Sequence, residues 1–257
     1  MILKASDDAS ARDFPEQWYD FASEDHFWME WRARVLSENL RRLGLDPMAA
    51  LSAFDIGCGH GTVQRQLTRS TNWIVDGCDL NEGAIARNTG HGGRTLNYNI
   101  FDKSPELRGR YDIVLLLDVI EHVKDPVAFL NAAAYYSKPS GIVVINVPSV
   151  PSLASAYDKA VGHLRRYTEA SLRQDVSDAG LKIIKLAHWG MSLLPLLALR
   201  KLLTSFTRPE NVIARGLNPP GILADKILRM AMTAELAVFH DVRWGTSLLA
   251  VAGTSGE

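Results

Sequence analysis

The stretch FDIGCGHG at residues 54–61 decides the fold, because it runs a short apolar segment directly into three glycines spaced two residues apart. Glycines let the backbone turn tightly and let a ligand approach with no Cβ in the way. Ligands of open α/β sheets bind at the carboxyl ends of the strands, so the stretch predicts a strand that ends in a ligand-binding loop. The spacing differs from the G-x-G-x-x-G of a dinucleotide-binding turn.

A second apolar segment ends at Asp79, which lies 22 residues beyond Gly57. A carboxylate at this place can accept hydrogen bonds from both hydroxyls of a ribose. The glycine loop alone is a weak signal, but the loop and the acid together indicate a nucleoside-binding site. The alternative is an ordinary nucleotide-binding turn that takes another ligand.

Short apolar runs alternate with helical stretches from about residue 50 to 147, which is typical of a parallel sheet with crossover helices. Residues 126–136 are predicted to form a helix, and the sequence Lys-Pro-Ser-Gly at 138–141 is predicted to be the turn after it. The predicted strands are residues 53–56, 73–78, 94–100, 111–117, 142–147, 181–186 and 247–252.

The composition is that of an average globular protein, with 257 residues, a net charge of −1 and 47% hydrophobic residues. This excludes a disordered chain and a disulfide scaffold, and the lack of a basic excess argues against a DNA-binding protein. The two cysteines suit a reducing compartment. Because no segment has the roughly 20 apolar residues of a membrane-spanning helix and no signal peptide is evident, we expect a cytoplasmic protein.

From the glycine loop to the last predicted strand, the chain resembles the class I S-adenosylmethionine-dependent methyltransferases. The resemblance implies an α/β fold with a Rossmann-like, seven-stranded sheet, mainly parallel with an antiparallel last strand and with helices on both faces. It also implies that S-adenosylmethionine lies on the glycine loop and that the acid ending strand two holds the ribose. Family members place an acid near the end of strand three, beside the adenine amine, and the alignment does not decide between Asn99 and Asp102. The residues assigned to the cofactor are Arg32, Asp55, Gly57, Gly59, Gly61, Asp79, Leu80, Asn99, Asp102 and Asp118.

Strand four runs into the sequence DVIEHV at residues 118–123. This sequence resembles the Asp-Val-Leu-Glu-His-Val form of the family, which includes the ubiquinone-biosynthesis O-methyltransferases. In several such proteins this edge faces the transferred methyl group and the substrate. The resemblance therefore predicts catalytic roles for Glu121 and His122.

A second polar cluster, GHLRRYT at residues 162–168, precedes a predicted helix. A neutral His163 can take the proton of a substrate hydroxyl, since its ordinary pKa is about 6.5 and general bases work best near the operating pH. Arg165, Arg166 and the adjacent Tyr167 are predicted to bind the substrate, with the arginines pairing with its phosphate or carboxylate. The alternative is that the arginines hold a loop against nearby acids.

A divalent metal site is a further hypothesis. Asp118, Glu121, His122 and the more distant His163 resemble the Glu-x-x-Glu-His set and distant His that bind a divalent ion in small-RNA 2′-O-methyltransferases and ubiquinone-pathway relatives. Two carboxylates and two imidazoles suit Mg²⁺, Mn²⁺ or Zn²⁺. Asp118 stands where the family has Glu and is one methylene shorter. The alternative is a metal-free enzyme in which Glu121 and His122 only pack and cap.

Residues 1–45 are predicted to form a helical lid, and residues 46–257 the methyltransferase domain. The sequence DHFWMEWR at residues 25–32 resembles a stretch that precedes the core in a bacterial branch of the family. An aromatic helix there would exclude water from methyl transfer, and Arg32 would reach the methionine carboxylate of the cofactor. Simple core packing of this helix is the alternative.

A helical insertion is predicted at about residues 190–245. Residues 191–230 carry six basic and two acidic residues among many leucines and isoleucines. This pattern predicts either a helix that lies peripherally on an anionic membrane or an apolar wall for a lipid-like substrate. The same leucines could instead cover the sheet or a partner subunit.

The expected function is therefore transfer of a methyl group from S-adenosylmethionine to oxygen of a small-molecule or lipid-linked acceptor. The alternatives are an RNA ribose methyltransferase and a non-catalytic cofactor-binding sensor or partner subunit. The lack of a basic excess or an RNA-binding module counts against the first alternative. The presence of Asp118, Glu121, His122 and His163 counts against the second.

Overall fold

The computed structural model describes residues 15–89, 92–208, 211–217, 221–238 and 242–254. Within these ranges the central element is a sheet of seven strands. The strands are β1 Ser52–Ile56, β2 Ile74–Asp79, β3 Thr95–Asn97, β4 Tyr111–Leu117, β5 Ser137–Pro148, β6 Leu181–Trp189 and β7 Ser247–Thr254.

The strand order is β3-β2-β1-β4-β5-β7-β6. The first five strands of this order pair in parallel, and β7 is antiparallel to both β5 and β6. This confirms the expected seven-stranded sheet with an antiparallel last strand. The chain builds outward from β1 to β3 and then returns to place β4 beside β1, so the order reverses between β1 and β4. A crevice for a ligand forms at the carboxyl ends of the strands at such a reversal.

Helices surround the sheet, and some of them begin at side chains that cap them. Asn81 accepts a hydrogen bond from the backbone N–H of Ala84 at 2.9 Å, and Asp125 accepts one from Ala128 at 2.9 Å. The helices are α1 Glu16–Phe21, α2 Phe27–Arg42, α3 Thr62–Ser70, α4 Glu82–Ala86, α5 Pro126–Ala134, α6 Ala156–Ala160, α7 Glu169–Asp178, α8 Leu194–Thr204, α9 Val212–Leu217 and α10 Gly221–Val238.

Alternate residues of each central strand enter a core on opposite faces of the sheet. On one face, Phe54 and Val114 pack with Leu130 of α5 and Leu172 of α7. On the other face the strands pack against α2, α3 and α10. Helices therefore cover both faces, and the apolar residues of the short strands are buried on both sides, as their sequence predicts.

Several strand boundaries differ from the sequence prediction, and the start of β5 differs most. Residues 138–141 were predicted to be a turn, but they belong to β5, which starts at Ser137. Ser137 pairs with Tyr111, the register then shifts, and Gly141 passes so close to the backbone of Tyr111 that a Cβ would lie 2.9 Å from its carbonyl oxygen. The residues that signalled a turn thus form an irregular start of the strand. The edge strand β3 is three residues long, shorter than the predicted 94–100.

The predicted lid divides into two parts, and its residues 1–14 lie outside the described residues. Most of α2 is core: Trp31, Val35 and Leu36 are buried against the second face of the sheet. The short helix α1 and the first turns of α2 lie instead over the carboxyl ends of β1 and β2, where Trp18, Tyr19 and other aromatic residues line a cavity.

The insertion between β6 and β7 carries α8, α9 and α10. Buried Glu235 of α10 accepts hydrogen bonds from the backbone N–H groups of Gly190, Met191 and Ser192 at 2.7–3.0 Å, and so satisfies the donors that precede α8. Arg229 of α10 donates to Glu30 of α2, which ties the insertion to the N-terminal helices. Among the described residues, no helix has the length and apolarity needed to cross a membrane.

Candidate active site

A cavity of about 810 Å³ lies at the carboxyl ends of β1, β2 and β4. Small-molecule sites are typically clefts of roughly 300–1,000 Å³ at such switch points of α/β sheets. The cavity floor is the sheet edge, and its walls come from α1, the start of α2, and α8 of the insertion. The N-terminal helices and the insertion thus enclose a space that the central sheet alone leaves open.

The glycine loop lines this cavity at Gly57 and Gly59, both of which have positive φ angles, of 77° and 53°. A Cβ on Gly57 would lie 2.7 Å from the side chain of Val119. Gly61 does not line the cavity; it precedes α3, where a Cβ would overlap the side chain of Asn88. All three glycines have positive φ angles and neighbours that leave little room for a Cβ, and the first two also line the cavity.

Asp79 ties the glycine loop to the end of β2. Its Oδ2 accepts a hydrogen bond from the N–H of Gly59 at 2.8 Å, and its Oδ1 accepts one from the N–H of Asn81 at 2.8 Å. Burial raises the pKa of Asp79, while these backbone donors oppose the rise. Each carboxylate oxygen keeps a lone pair for a further donor, so the residue fits two ribose hydroxyls.

Asp55 is a second acid on the cavity floor. It is 2% exposed, and its Oδ2 has no described hydrogen-bond partner. Burial raises its pKa to about 7, although the Arg32 guanidinium opposes that rise. An orphaned carboxylate oxygen in a cavity fits a cationic group of a ligand, such as the ammonium group of S-adenosylmethionine.

We expect Asp55→Asn to raise the unfolding temperature of the ligand-free protein by more at pH 8 than at pH 5. The carboxyl of Asp55 binds its proton more tightly in the folded state, so its stabilising contribution is lost as the pH rises toward 7. Asparagine does not titrate, and about 1 kcal/mol corresponds to 2–4 °C in a domain of this size. Thermal unfolding of both proteins at the two pH values measures the effect. If the two proteins differed in unfolding temperature by the same amount at pH 5 and pH 8, this prediction would be contradicted.

Leu80 and Asn99 line the cavity, whereas Asp102 is exposed and does not. Of the two polar residues near the end of β3, the structure thus places only Asn99 beside the ligand space. Phe101 and Phe129 also line the cavity, with ring centroids 5.8 Å apart. These two rings were not among the site residues predicted from the sequence. The only sequence signal for Phe101 was its place as an aromatic residue just after a strand.

Arg32 and Asp118 form an ion pair inside the cavity, with 2.5 Å between Nη1 and Oδ2. The Nδ2 of Asn146 donates to the other oxygen of Asp118 at 2.8 Å. Asp118 has a φ of 60°, an uncommon conformation for a residue other than glycine. Both residues line the cavity as the cofactor assignment requires, but each is the other's partner, so Arg32 is not a free cation for a carboxylate.

Glu121, His122 and His163 come together although 41 residues separate the last two. One ligand atom from each of the three lies within 4.8 Å of the other two. Both carboxyl oxygens of Glu121 are buried without a described hydrogen-bond partner, Oε1 lies 3.9 Å from Nε2 of His163, and burial raises the pKa of Glu121 well above the ordinary value. Burial and the neighbouring His163 lower the pKa of His122 to about 3, so this ring is neutral. Asp118 is not in this group, because its carboxylate faces Arg32 and Asn146.

His163 has a partner that the sequence analysis missed. Its Nδ1 lies 3.1 Å from Oδ1 of Asp158, a buried residue at the start of α6. Burial would raise the pKa of Asp158, but His163 and Arg166 outweigh it and lower the pKa. An ionised Asp158 favours a proton on Nδ1, which leaves Nε2 of His163 as the acceptor. The signal that could have found Asp158 is its place five residues before His163 in the same polar segment.

The predicted substrate-binding residues differ in their positions. Arg166 lines the cavity, but its Nε donates to Asp158 at 2.7 Å and its Nη1 donates to the carbonyl of Ser149. Arg165 donates to the carbonyl of Lys124 and does not line the cavity. Tyr167 is buried in the core on the face of α5 and α7. These contacts favour the alternative in which the arginines hold a loop.

Comparison with known proteins gives a family for most of the chain. A family model described as a methyltransferase domain matches residues 7–186. The ubiquinone biosynthesis O-methyltransferase of Rhodopseudomonas palustris (strain BisA53) is 36% identical over 105 residues, which are 39% of this chain and 41% of that protein. The protein of the same description from Ruegeria pomeroyi is 32% identical over 117 residues, 43% of this chain and 47% of that protein. The matches therefore span less than half the length of these relatives.

Solved structures show a similar fold. A putative sarcosine dimethylglycine methyltransferase from Galdieria sulphuraria has a TM-score of 0.58 at 18% identity and covers 86% of this chain and 84% of its own. The magnesium protoporphyrin IX methyltransferase of Synechocystis PCC 6803, solved with bound SAH, has a TM-score of 0.52 at 16% identity and covers 88% of this chain and 84% of its own. At these identities the likeness concerns the fold.

Proposed function

This chain belongs to the family of methyltransferase domains, and from that premise we propose that it transfers a methyl group from S-adenosylmethionine to a hydroxyl of a small-molecule or lipid-linked acceptor. The fold, the glycine loop and Asp79 support the cofactor. Gly57 lines the cavity, and the orphaned Oδ2 of Asp55 offers an acceptor for an ammonium group. When bound, the cofactor supplies an electrophilic methyl group on a sulfonium.

The pairing of His163 with Asp158 carries the assignment to oxygen. A hydroxyl must lose a proton as its oxygen is methylated, and Nε2 of His163 is placed to take it while Asp158 stabilises the resulting imidazolium. Glu121 and His122 line the same cavity just after β4, where the ring of His122 packs against the ring of His163. Alignment of the acceptor and removal of one proton are the tasks left to the protein.

Release of S-adenosylhomocysteine from purified protein tests the proposal. Candidate acceptors are hydroxylated aromatic compounds, sugars and polyprenylated phenols, each with its methoxy analogue as a control that has no free hydroxyl. We expect turnover with a hydroxyl compound and none with its methoxy analogue. Turnover confined to RNA or to amines, or binding of the cofactor without any turnover, would contradict O-methylation of a small or lipid-linked acceptor.

As an alternative to a free His163 base, we propose that Glu121, His122 and Nε2 of His163 hold a divalent ion, because Nε2 cannot bind an ion and accept a proton at once. The buried, unpartnered oxygens of Glu121 fit a cation, and with the two imidazoles they make a donor set suited to Zn²⁺ or Mn²⁺, and less suited to Mg²⁺. An ion there would lower the pKa of an acceptor hydroxyl.

Calorimetric titration with Zn²⁺ and Mn²⁺ is expected to show one site in the chelated protein and at least tenfold weaker binding in Glu121→Gln, which loses a charged ligand. Activity is expected to fall after chelation and to return with the metal. Full activity after exhaustive chelation, with no metal left in the protein, would contradict this proposal.

Peripheral membrane contact is proposed through the outer faces of α8 and α10. Among the exposed apolar residues of these helices, Leu202 of α8 is 59% exposed, and Ile222 and Met230 of α10 are 82% and 72% exposed. Exposed Lys201 and Lys226 lie on the same two helices. Apolar side chains with interspersed lysines are typical of a surface that binds anionic lipid headgroups.

Met230→Glu is expected to reduce the fraction of protein that sediments with vesicles of phosphatidylcholine and phosphatidylglycerol by several-fold. The carboxylate would enter the interface against negative headgroups. Met48→Glu is the control, because Met48 is 60% exposed but lies before β1, outside the insertion. Equal sedimentation of all three proteins, or none by the unaltered protein, would contradict membrane contact.

A further inference from the structure

Helix α8 forms one wall of the cavity, and this wall has one charged residue among apolar ones. Leu193, Leu196, Leu197 and Leu203 line the cavity around Arg200. The Nε of Arg200 is shielded from solvent and has no hydrogen-bond partner in the described part of the chain. A shielded N–H group without a partner is uncommon in a folded protein and calls for an explanation.

The arginines of the cavity differ in how their charges are balanced. Arg32 pairs with Asp118, and Arg166 pairs with Asp158. Within the described ranges, no ion pair of Arg200 with a carboxylate is found. Burial lowers the pKa of Arg200 and the positive charge of Arg166 adds to this effect, while Tyr157 and Asp158 oppose it. Among the described residues, the cavity therefore contains a guanidinium with no carboxylate in ion-pair contact.

The guanidinium of Arg200 has a rigid support. It lies 4.3 Å from the centroid of the Tyr157 ring, within the range of a cation–π contact. Trp18 of α1 donates to the hydroxyl of Tyr157 at 3.3 Å. On α9, Gly216 packs so closely on this ring that a Cβ would lie 2.1 Å from Cδ2. Residues of four helices thus position the guanidinium of Arg200 at the cavity. These contacts do not use the hydrogen-bond donors of the guanidinium.

An unpaired guanidinium in a partly desolvated space has an unfavourable desolvation free energy. An anionic group of a ligand offsets this free energy through charge-assisted hydrogen bonds. Carboxylate and phosphate match the planar donors of arginine. The leucines beside Arg200 would cover an apolar part of the same ligand. Leu203 lines the cavity and is also 53% exposed, so the apolar wall continues to the outer surface of α8.

We propose that Arg200 is the anion-binding residue of the acceptor site, and that the acceptor is an amphipathic acid whose carboxylate or phosphate pairs with Arg200 while its apolar body lies on α8. The assignment rests on the proposed function, because the acceptor hydroxyl is taken to lie at His163. Arg200 would then bind the anionic group of the acceptor, a role predicted from the sequence for Arg165 and Arg166.

Binding of matched amphiphiles to the full chain saturated with S-adenosylhomocysteine tests this proposal. The probes are decanoate, decyl phosphate and neutral decanol, measured by calorimetry below their micellar concentrations. We expect both or one of the acids to bind at least tenfold more tightly than decanol, and the preferred acid identifies the headgroup. Arg200→Met is expected to remove this preference, because Met keeps the apolar stem and loses the charge.

Two further measurements separate this role from a structural one. Arg208→Met is the control, since Arg208 is exposed beyond the end of α8, and it is expected to bind the acids like the unaltered protein. Arg200→Met is expected to unfold at the same or a higher temperature without ligand, because it removes an unpaired charge.

Several outcomes would overturn the assignment of Arg200. These are equal binding of decanoate, decyl phosphate and decanol by the unaltered protein, an unchanged acid preference in Arg200→Met, or a lower unfolding temperature of that variant. Weaker binding of S-adenosylhomocysteine by Arg200→Met would assign the residue to the cofactor instead. Failure of the unaltered protein to bind S-adenosylhomocysteine at all would contradict the proposed function itself.

Discussion

Replacement of His163 by alanine is expected to lower kcat by about 10²–10⁴-fold, the usual contribution of a general base. The ring of His163 lines the cavity, and its Nδ1 is held by Asp158, so Nε2 is left to accept a proton from the substrate. The affinity for S-adenosylhomocysteine should change little, because His163 lies outside the glycine loop and does not contact Asp79. Turnover and calorimetric binding together measure the two effects.

His188→Ala is the matched control. His188 lies on the outer strand β6, where it faces Glu169 of α7, and it does not line the cavity. Asp158→Asn is expected to lower kcat less than the loss of His163, since the base stays but loses the partner that orients it. A kcat of His163→Ala equal to that of the unaltered protein would remove this histidine from the mechanism.

Replacement of Asp79 by alanine is expected to weaken the binding of S-adenosylhomocysteine by about 10–100-fold. Two effects combine: the ribose loses a charged acceptor, for which hydrogen bonds contribute about 1.5–3 kcal/mol, and the N–H groups of Gly59 and Asn81 lose theirs. Asp178→Ala is the control, because Asp178 is exposed at the end of α7 and far from the loop in the fold. Binding calorimetry on the purified proteins gives the result.

Asp79→Asn separates the two effects. The asparagine oxygen can still accept one backbone hydrogen bond, so the loop should keep its conformation while the ribose loses the carboxylate. We expect an affinity between those of the unaltered protein and Asp79→Ala, with little change in unfolding temperature. Unchanged affinity in both variants would mean that no ribose lies at the end of β2.

The fold was predictable because its signals are local. Each central strand is a short apolar run, and each is followed by a turn or a helix start within a few residues. The family match and the observed sheet confirm the resemblance to class I methyltransferases and the seven-stranded sheet with its antiparallel last strand. The misassigned residues 138–141 carry turn signals that the pairing of Ser137 with Tyr111 overrides, since hydrogen bonds to a neighbouring strand outweigh a weak local preference.

The candidate site was predictable only in part. Gly57, Gly59, Asp79 and His163 could be named from the sequence, because each stands next to the strand or helix end that positions it. The partners of charged side chains could not be named. Asp118 faces Arg32 across 86 residues, and the guanidinium of Arg200 lies over the ring of Tyr157 on another helix.

The spacing of residues along the chain is therefore enough to predict the succession of strands, the glycine loop and the acid that follows it. Only the tertiary structure decided which charges are neutralised: Arg166 is bound by Asp158, and Arg200 has no such acid in the described ranges. The physical reason is that secondary structure follows from the spacing of neighbouring residues, whereas the balance of a buried charge depends on side chains brought together from distant segments.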